Sequence, residues 1–111
     1  MKREYISRLL SKCDILLLQE HWLADVQLPD LGSINHMFLY HGVSGFGDKE
    51  VLIGRPYGGC AILWRSDINF PVNVIDIDSR RCCAVRICTD DWSLLVINVY
   101  IRGLRVDPTR R

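Results

Sequence analysis

Near the amino terminus the chain reads DILLLQEHWL, where an aliphatic run stops abruptly at Gln19, Glu20 and His21. A carboxylate at the end of a buried strand points into the space above a sheet edge. That is where α/β folds place ligands, and there it can hold a hard cation through oxygen. The plain alternative is a solvated boundary residue, which is what a strand-terminal Glu ordinarily is. His21 follows directly and in extended chain faces the opposite side, while His36 and His41 precede a glycine-rich stretch. None of the three is assigned a catalytic role. Arg80 and Arg81, with Arg65 and Arg55, form a candidate phosphate-binding rim because guanidinium forks match phosphate geometry. The alternative for them is the solvated ends of strands.

Other chemistries fail on spacing. The glycines of GVSGFG fall at 42, 45 and 47 instead of in a G-x-G-x-x-G pattern, and GRPYGG lacks the Lys-Ser/Thr of a P-loop. There is no G-x-S-x-G elbow and no Cys/His set at zinc spacing. The five cysteines (Cys13, Cys60, Cys82, Cys83, Cys88) are odd in number and mostly sit in apolar runs. They read as reduced core thiols and not as a disulfide framework. Trp22, Trp64 and Trp92 are spread through separate segments and read as core or edge packing instead of base-stacking platforms.

The elements that must position these residues follow from pattern. At 111 residues, 49% hydrophobic and 24% charged, the chain is globular and long enough for one domain. Its net charge of +1 gives no global attraction to nucleic acid or to a membrane surface, so a polyanion must meet a local patch. No apolar run approaches the roughly 20 residues of a bilayer span. MKREYISRLL has no apolar signal region, so an intracellular protein is expected, with nucleus against cytoplasm open.

Ile6, Leu9, Leu10 and Cys13 share a side at helical spacing, which predicts a short amphipathic helix over 2–12. ILLL then reads as a central strand buried on both faces. A single helical turn is expected near Trp22 to Val26, and MFLYHGV (37–43) is a strand. The stretch 44–59 is a loop, with a short strand at VLI. After it, CAILWR (60–65), PVNVIDI (71–77), CCAVRIC (82–88) and SLLVINVY (93–100) are joined by links too short for crossover helices, which predicts a four-strand antiparallel meander.

DILLLQEHWL, then GRPYGGCAILWR, then LLVINVYI resemble, in order and spacing, the endonuclease/exonuclease/phosphatase superfamily. The likeness is greatest to the endonuclease domain of LINE-type (non-LTR) retrotransposons. It runs from Lys2 to Ile101 and covers about the first half of that domain. It implies an α/β (α+β) class: a partial four-layer α/β sandwich, mostly antiparallel sheet, with a short N-terminal helix over a partial domain at 1–101. Residues 102–111 are expected to be a divergent, disordered tail.

The resemblance further implies Mg²⁺ as cofactor, DNA as partner, Glu20 as metal ligand and catalytic residue, and Tyr100 as a catalytic residue near the scissile phosphate. Asn98 belongs to the same Asn-x-Tyr motif as support for the strand. Phosphoinositide phosphatases and sphingomyelinases of the superfamily share the Glu. The GRPYGGCAILW stretch favours the retrotransposon group.

The departures are equally specific. There is no strand with an early Asn before the helix, Arg102 stands where the family has Pro, and IRGLRVDPTRR holds neither a Gly-Asp-x-Asn nor a Ser-Asp-His motif. The expectation is a truncated copy that is inactive as it stands; the alternative is a non-catalytic remnant or binding protein. A chain supplying mainly one sheet would also leave that sheet's inner face open. Marginal stability, self-association or a partner covering the exposed face is therefore expected.

Overall fold

The computed structural model describes residues 1–47 and 58–101. Helix α1 (Arg3–Leu10) buries Ile6 and Leu10 and stops at Ser11, whose hydroxyl donates to the Arg8 carbonyl. Strand β1 (Ile15–Gln19) follows. A 3-10 helix then runs over Asp25–Ser33, in place of the single turn expected near Trp22 to Val26. Tight helices of this length are uncommon. Arginines hold this one at both ends: Arg80 forks onto Asp25, and Arg3 donates to Ser33 Oγ and Ser33 O, both at 3.1 Å.

The remaining strands are β2 (Phe38–Val43), β3 (Cys60–Arg65), β4 (Val72–Ile75), β5 (Cys82–Cys88) and β6 (Ser93–Val99). They form two three-stranded antiparallel sheets, β1-β3-β2 and β4-β5-β6. Two expectations are corrected here. The meander holds only for β4 to β6, because β3 leaves it to pair with β1 and β2. The central strand of the first sheet is β3 and not β1, which lies at an edge with Leu17 44% exposed. CAILW is as unalternating and apolar as ILLL, so apolarity alone did not separate the two.

Alternation along β3 explains its burial. Ala61 and Leu63 join Ile6, Leu10, Leu31 and Phe38 beneath the helical layer. Cys60, Ile62 and Trp64 face the other way and pack on Cys83 and Val85 of β5. The chain therefore builds three layers with two cores, and the expectation of mainly one sheet with a bare inner face is overturned. The inner faces cover each other.

What stays open is the outer face of the second sheet. There the register places Leu95, Ile97 and Val99 beside Arg86, Ala84 and Cys82. All five cysteines are free thiols. Among the described residues no helix is long and apolar enough to cross a membrane. The expected strand at VLI and the expected tail lie outside the described residues.

Candidate functional site

Past Gln19 the backbone leaves the strand conformation. Glu20 and Trp22 adopt left-handed φ values of 56° and 62°, a region that costs an L-residue roughly 1–2 kcal/mol each. Such strain persists only where the surroundings over-determine it. Here Glu20 N donates to Gly59 O at 2.7 Å and Trp22 N to Gly58 O at 3.1 Å, which prolongs the β1–β3 pairing through the bend.

Between them His21 turns inward and is 1% exposed. Its Nε2 donates to Val43 O at 2.8 Å, and its Nδ1 accepts from Leu23 N at 2.9 Å. That pattern fits the neutral ring with its proton on Nε2. Burial is the main influence holding its pKa below the usual histidine value, against the opposing pull of the Val43 and Cys60 backbone. His21 is thus a structural anchor with both ring nitrogens committed, and the extended-chain picture of it is corrected.

The anchor dictates Gly59, and Gly58 beside it lies against Gly45 and Tyr100. Both have positive φ, 69° and 92°. A Cβ on Gly59 would collide with the His21 ring, so this glycine lets the chain pass directly over the imidazole.

The bend presents Glu20 as an exposed carboxylate at the end of β1. Opposite it, Tyr100 is fixed by its N–H donating to Arg81 O at 2.6 Å and by ring packing on the core between the sheets. The Tyr100 hydroxyl donates to Glu20 Oε1 at 2.9 Å. One step inward, Gln19 Nε2 donates to Asn98 Oδ1 at 3.2 Å and to Val99 O at 2.7 Å. Asn98 is 2% exposed, and its amide donates to Leu18 O at 3.0 Å and Ala61 O at 2.9 Å, so one side chain binds β6 to β1 and β3.

The Gln-Glu and Asn-x-Tyr motifs therefore interlock in two tiers, Gln19 with Asn98 and Glu20 with Tyr100. The two candidate site residues, read 80 positions apart, meet directly. Sequence reading gave no part to Gln19 or to the structural role of His21. The signal for Gln19 was its place beside Glu20 in a motif whose counterpart also begins with an amide.

The arginine rim does not assemble. Arg80 is bound bidentately by Asp25 at 3.2 Å and also donates to Phe46 O at 3.1 Å. Arg65 forks onto Asp67 at 2.9 and 3.0 Å. Both are committed to carboxylates on separate elements; Arg81 contributes its carbonyl to Tyr100, and Arg55 lies outside the described residues. Of the tryptophans, Trp64 is core and Trp92 meets Phe70 with ring centroids 5.7 Å apart. Trp22 is 50% exposed, against the expectation of packing.

The model of the Endonuclease/Exonuclease/phosphatase family matches residues 1–110. The chain belongs to that family. A search among curated proteins found no match. Membership in the Endonuclease/Exonuclease/phosphatase family gives the Glu20–Tyr100 pair its setting, a domain type that acts on phosphate esters. Glu20 Oε1 is taken by Tyr100, and the carboxylate is otherwise exposed. A Mg²⁺ ion is ordinarily bound by one or two carboxylates, with waters and substrate phosphates completing its shell. Glu20 fits as one such ligand, although among the described residues no three His, Cys, Asp or Glu side chains cluster for a metal.

Proposed function

We propose that this chain is an endonuclease-domain segment of LINE-type retrotransposon descent, whose inherited reaction is Mg²⁺-dependent hydrolysis of phosphodiester bonds in DNA. We propose also that the 111 residues by themselves do not complete that reaction. The observation that supports the Glu20 site is the Tyr100–Glu20 hydrogen bond of 2.9 Å, which aims a carboxylate outward from a strained bend at the end of β1, while the LINE-type descent rests on the GRPYGGCAILW stretch. Glu20 would supply an oxygen to the cation, with Tyr100 holding that carboxylate in one orientation. When bound, Mg²⁺ neutralises charge on the phosphoryl oxygens and makes water a better nucleophile.

The second statement rests on what surrounds the pair. Hydrolysis also needs a base to orient water and donors around the developing charge. His21 has both nitrogens engaged in the backbone, and Arg80 and Arg65 are neutralised by Asp25 and Asp67. The chain contains neither the Gly-Asp-x-Asn nor the Ser-Asp-His motif that would supply these roles. These 111 residues retain one corner of the site; the alternative reading is a non-catalytic remnant or binding protein. The outer face of the second sheet is the surface on which we place self-association or a covering partner. An intracellular compartment completes the reading, because thiols stay reduced there.

The deciding experiment incubates the purified chain, shown to be folded by circular dichroism, with supercoiled plasmid and Mg²⁺. No nicking is expected. Nicking that disappears in Glu20→Ala would overturn the inactive reading and keep the site; nicking that survives Glu20→Ala would overturn both.

A further inference from the structure

We propose that Cys60 and Cys83 are a redox-responsive dithiol, converted by a peroxide-class oxidant into a disulfide that joins the two sheets. Cys60 opens β3 and Cys83 lies in β5, each on the inner face of its own sheet, so the thiols meet across the sandwich with Sγ atoms 3.7 Å apart. They are 0% and 1% exposed, and the same contact cluster holds both. A disulfide needs sulfurs about 2.05 Å apart, so closure requires an approach of under about 2 Å, within reach of small side-chain and backbone adjustments.

The position matters as much as the distance. Cys60 pairs in register with Gln19, and Cys83 with Asn98. Cys60 Sγ also lies 3.6 Å from Asn98 O. The new bond would therefore form beside the Gln19–Asn98 tier that carries the Glu20–Tyr100 pair.

Each thiol shifts the ionisation of the other. The hydrogen bond between the two thiols holds the Cys60 pKa below the usual thiol value against the cost of burial. The same contact, followed by burial, pushes Cys83 up. With Cys60 as the attacking residue, its thiolate is the nucleophile. Its sulfur attacks one peroxide oxygen and the O–O bond breaks, which leaves a Cys60 sulfenic acid and, after proton uptake, water. Cys83 sulfur then attacks the Cys60 sulfur and displaces the hydroxyl as a second water. The two thiols lose two electrons and two protons, and hydrogen peroxide is reduced to two waters. Because both thiols are buried, the reaction proceeds through local opening and is slow beside that of exposed thiols.

The test treats the full chain, reduced and desalted, with hydrogen peroxide, then alkylates under denaturing conditions and maps peptides by mass spectrometry. The expected product is a monomer lighter by two hydrogens before alkylation, with three of the five cysteines alkylated and Cys60 cross-linked to the peptide after Arg81. That peptide contains both Cys82 and Cys83, so Cys82→Ala must keep the link and Cys83→Ala must lose it. In the wild type the urea midpoint should rise on oxidation and return with dithiothreitol. Five alkylated thiols, a link through another pair, or loss of the link in Cys82→Ala would overturn the proposal. Should Cys83→Ala fail to fold, fragmentation of the wild-type cross-linked peptide assigns the sulfur directly.

Discussion

Asn98 and Ile97 are neighbours in β6, yet Asn98 is 2% exposed and Ile97 48% exposed. Asn98 points into the seam between the sheets and makes hydrogen bonds to β1 and β3. Ile97 points to the outer face, where Leu95 and Val99 are also about half exposed. The seam is specified by directional polar bonds and by a strained bend that only one local geometry satisfies. The outer face carries Leu95, Ile97 and Val99 with Arg86 and Asn73 among them, and none of the hydrogen bonds that fix Asn98. That contrast shows which part of the family's fold this chain holds independently. The corner carrying Glu20 and Tyr100 is braced by hydrogen bonds from within, whereas the outer face of the second sheet has apolar side chains about half exposed.

The sharpest way to break the braced corner is Gly59→Ala. The residue has φ 92°, and its new Cβ would collide with the buried His21 ring, so either the ring or the strand end must move. Left-handed strain costs of order 1–3 kcal/mol. Adding displacement of a buried hydrogen-bonded ring, we expect a loss of about 3 kcal/mol or more, read as a large drop in the urea midpoint. Asn98→Ala comes next. It removes hydrogen bonds to Leu18, Ala61 and Gln19 from the interior, and with buried carbonyls losing their donor the expected loss is about 2–3 kcal/mol. An unchanged midpoint in either variant would show that the seam does not hold the sheets together.

These two residues also mark how far the sequence could be read. Strand positions followed from alternation and short links, and CAILWR and CCAVRIC match β3 and β5 residue for residue. The Glu20–Tyr100 meeting was legible only through the order of motifs. Nothing local in QEHW foretells left-handed φ at Glu20 and Trp22, because neither residue type favours it; tertiary bonds from Gly58 and Gly59 impose it. The exchange of β3 into the first sheet was equally hidden. Both β3 and the meander strands have antiparallel partners and apolar faces, and only the pairing with β1 and β2 decides the sheet to which β3 belongs. Single charged residues misled for a related reason, since Arg80 and Arg65 found carboxylates 55 and 2 positions away.

Acid titration of the seam should have a smaller effect than these substitutions. His21 is neutral in the folded chain, with a pKa held below 6.5 chiefly by burial, and burial also lowers that of His41 against the pull of Asp76. Below that value the unfolded chain binds more protons than the folded one, so stability rises with pH across this range. The stabilisation is complete above the unfolded pKa and is lost as pH falls from 6.5 toward the folded pKa values. Protonation of His21 Nδ1 also sets its new hydrogen against the Leu23 N–H. Urea midpoints measured from about pH 7 to pH 5 should decline, and His21→Gln should flatten the slope to the share left to His41. A midpoint independent of pH over that range would mean that His21 is not buried neutral.

The smallest expected change in stability is the one that tests the other side of β6. In Ile97→Lys the new side chain lies on the outer face between Leu95 and Val99, where an extended ammonium reaches water without crossing the core. Surface substitutions away from special features ordinarily stay within about 0.5 kcal/mol, so the urea midpoint should barely move. If the exposed apolar face drives self-association, the same substitution should lower the sedimentation coefficient toward that of a monomer and reduce its dependence on concentration. A large loss of stability in Ile97→Lys would mean that the face is already covered within the chain. The contrast between adjacent residues of β6 would then collapse, and Ile97 would count with Asn98 as interior.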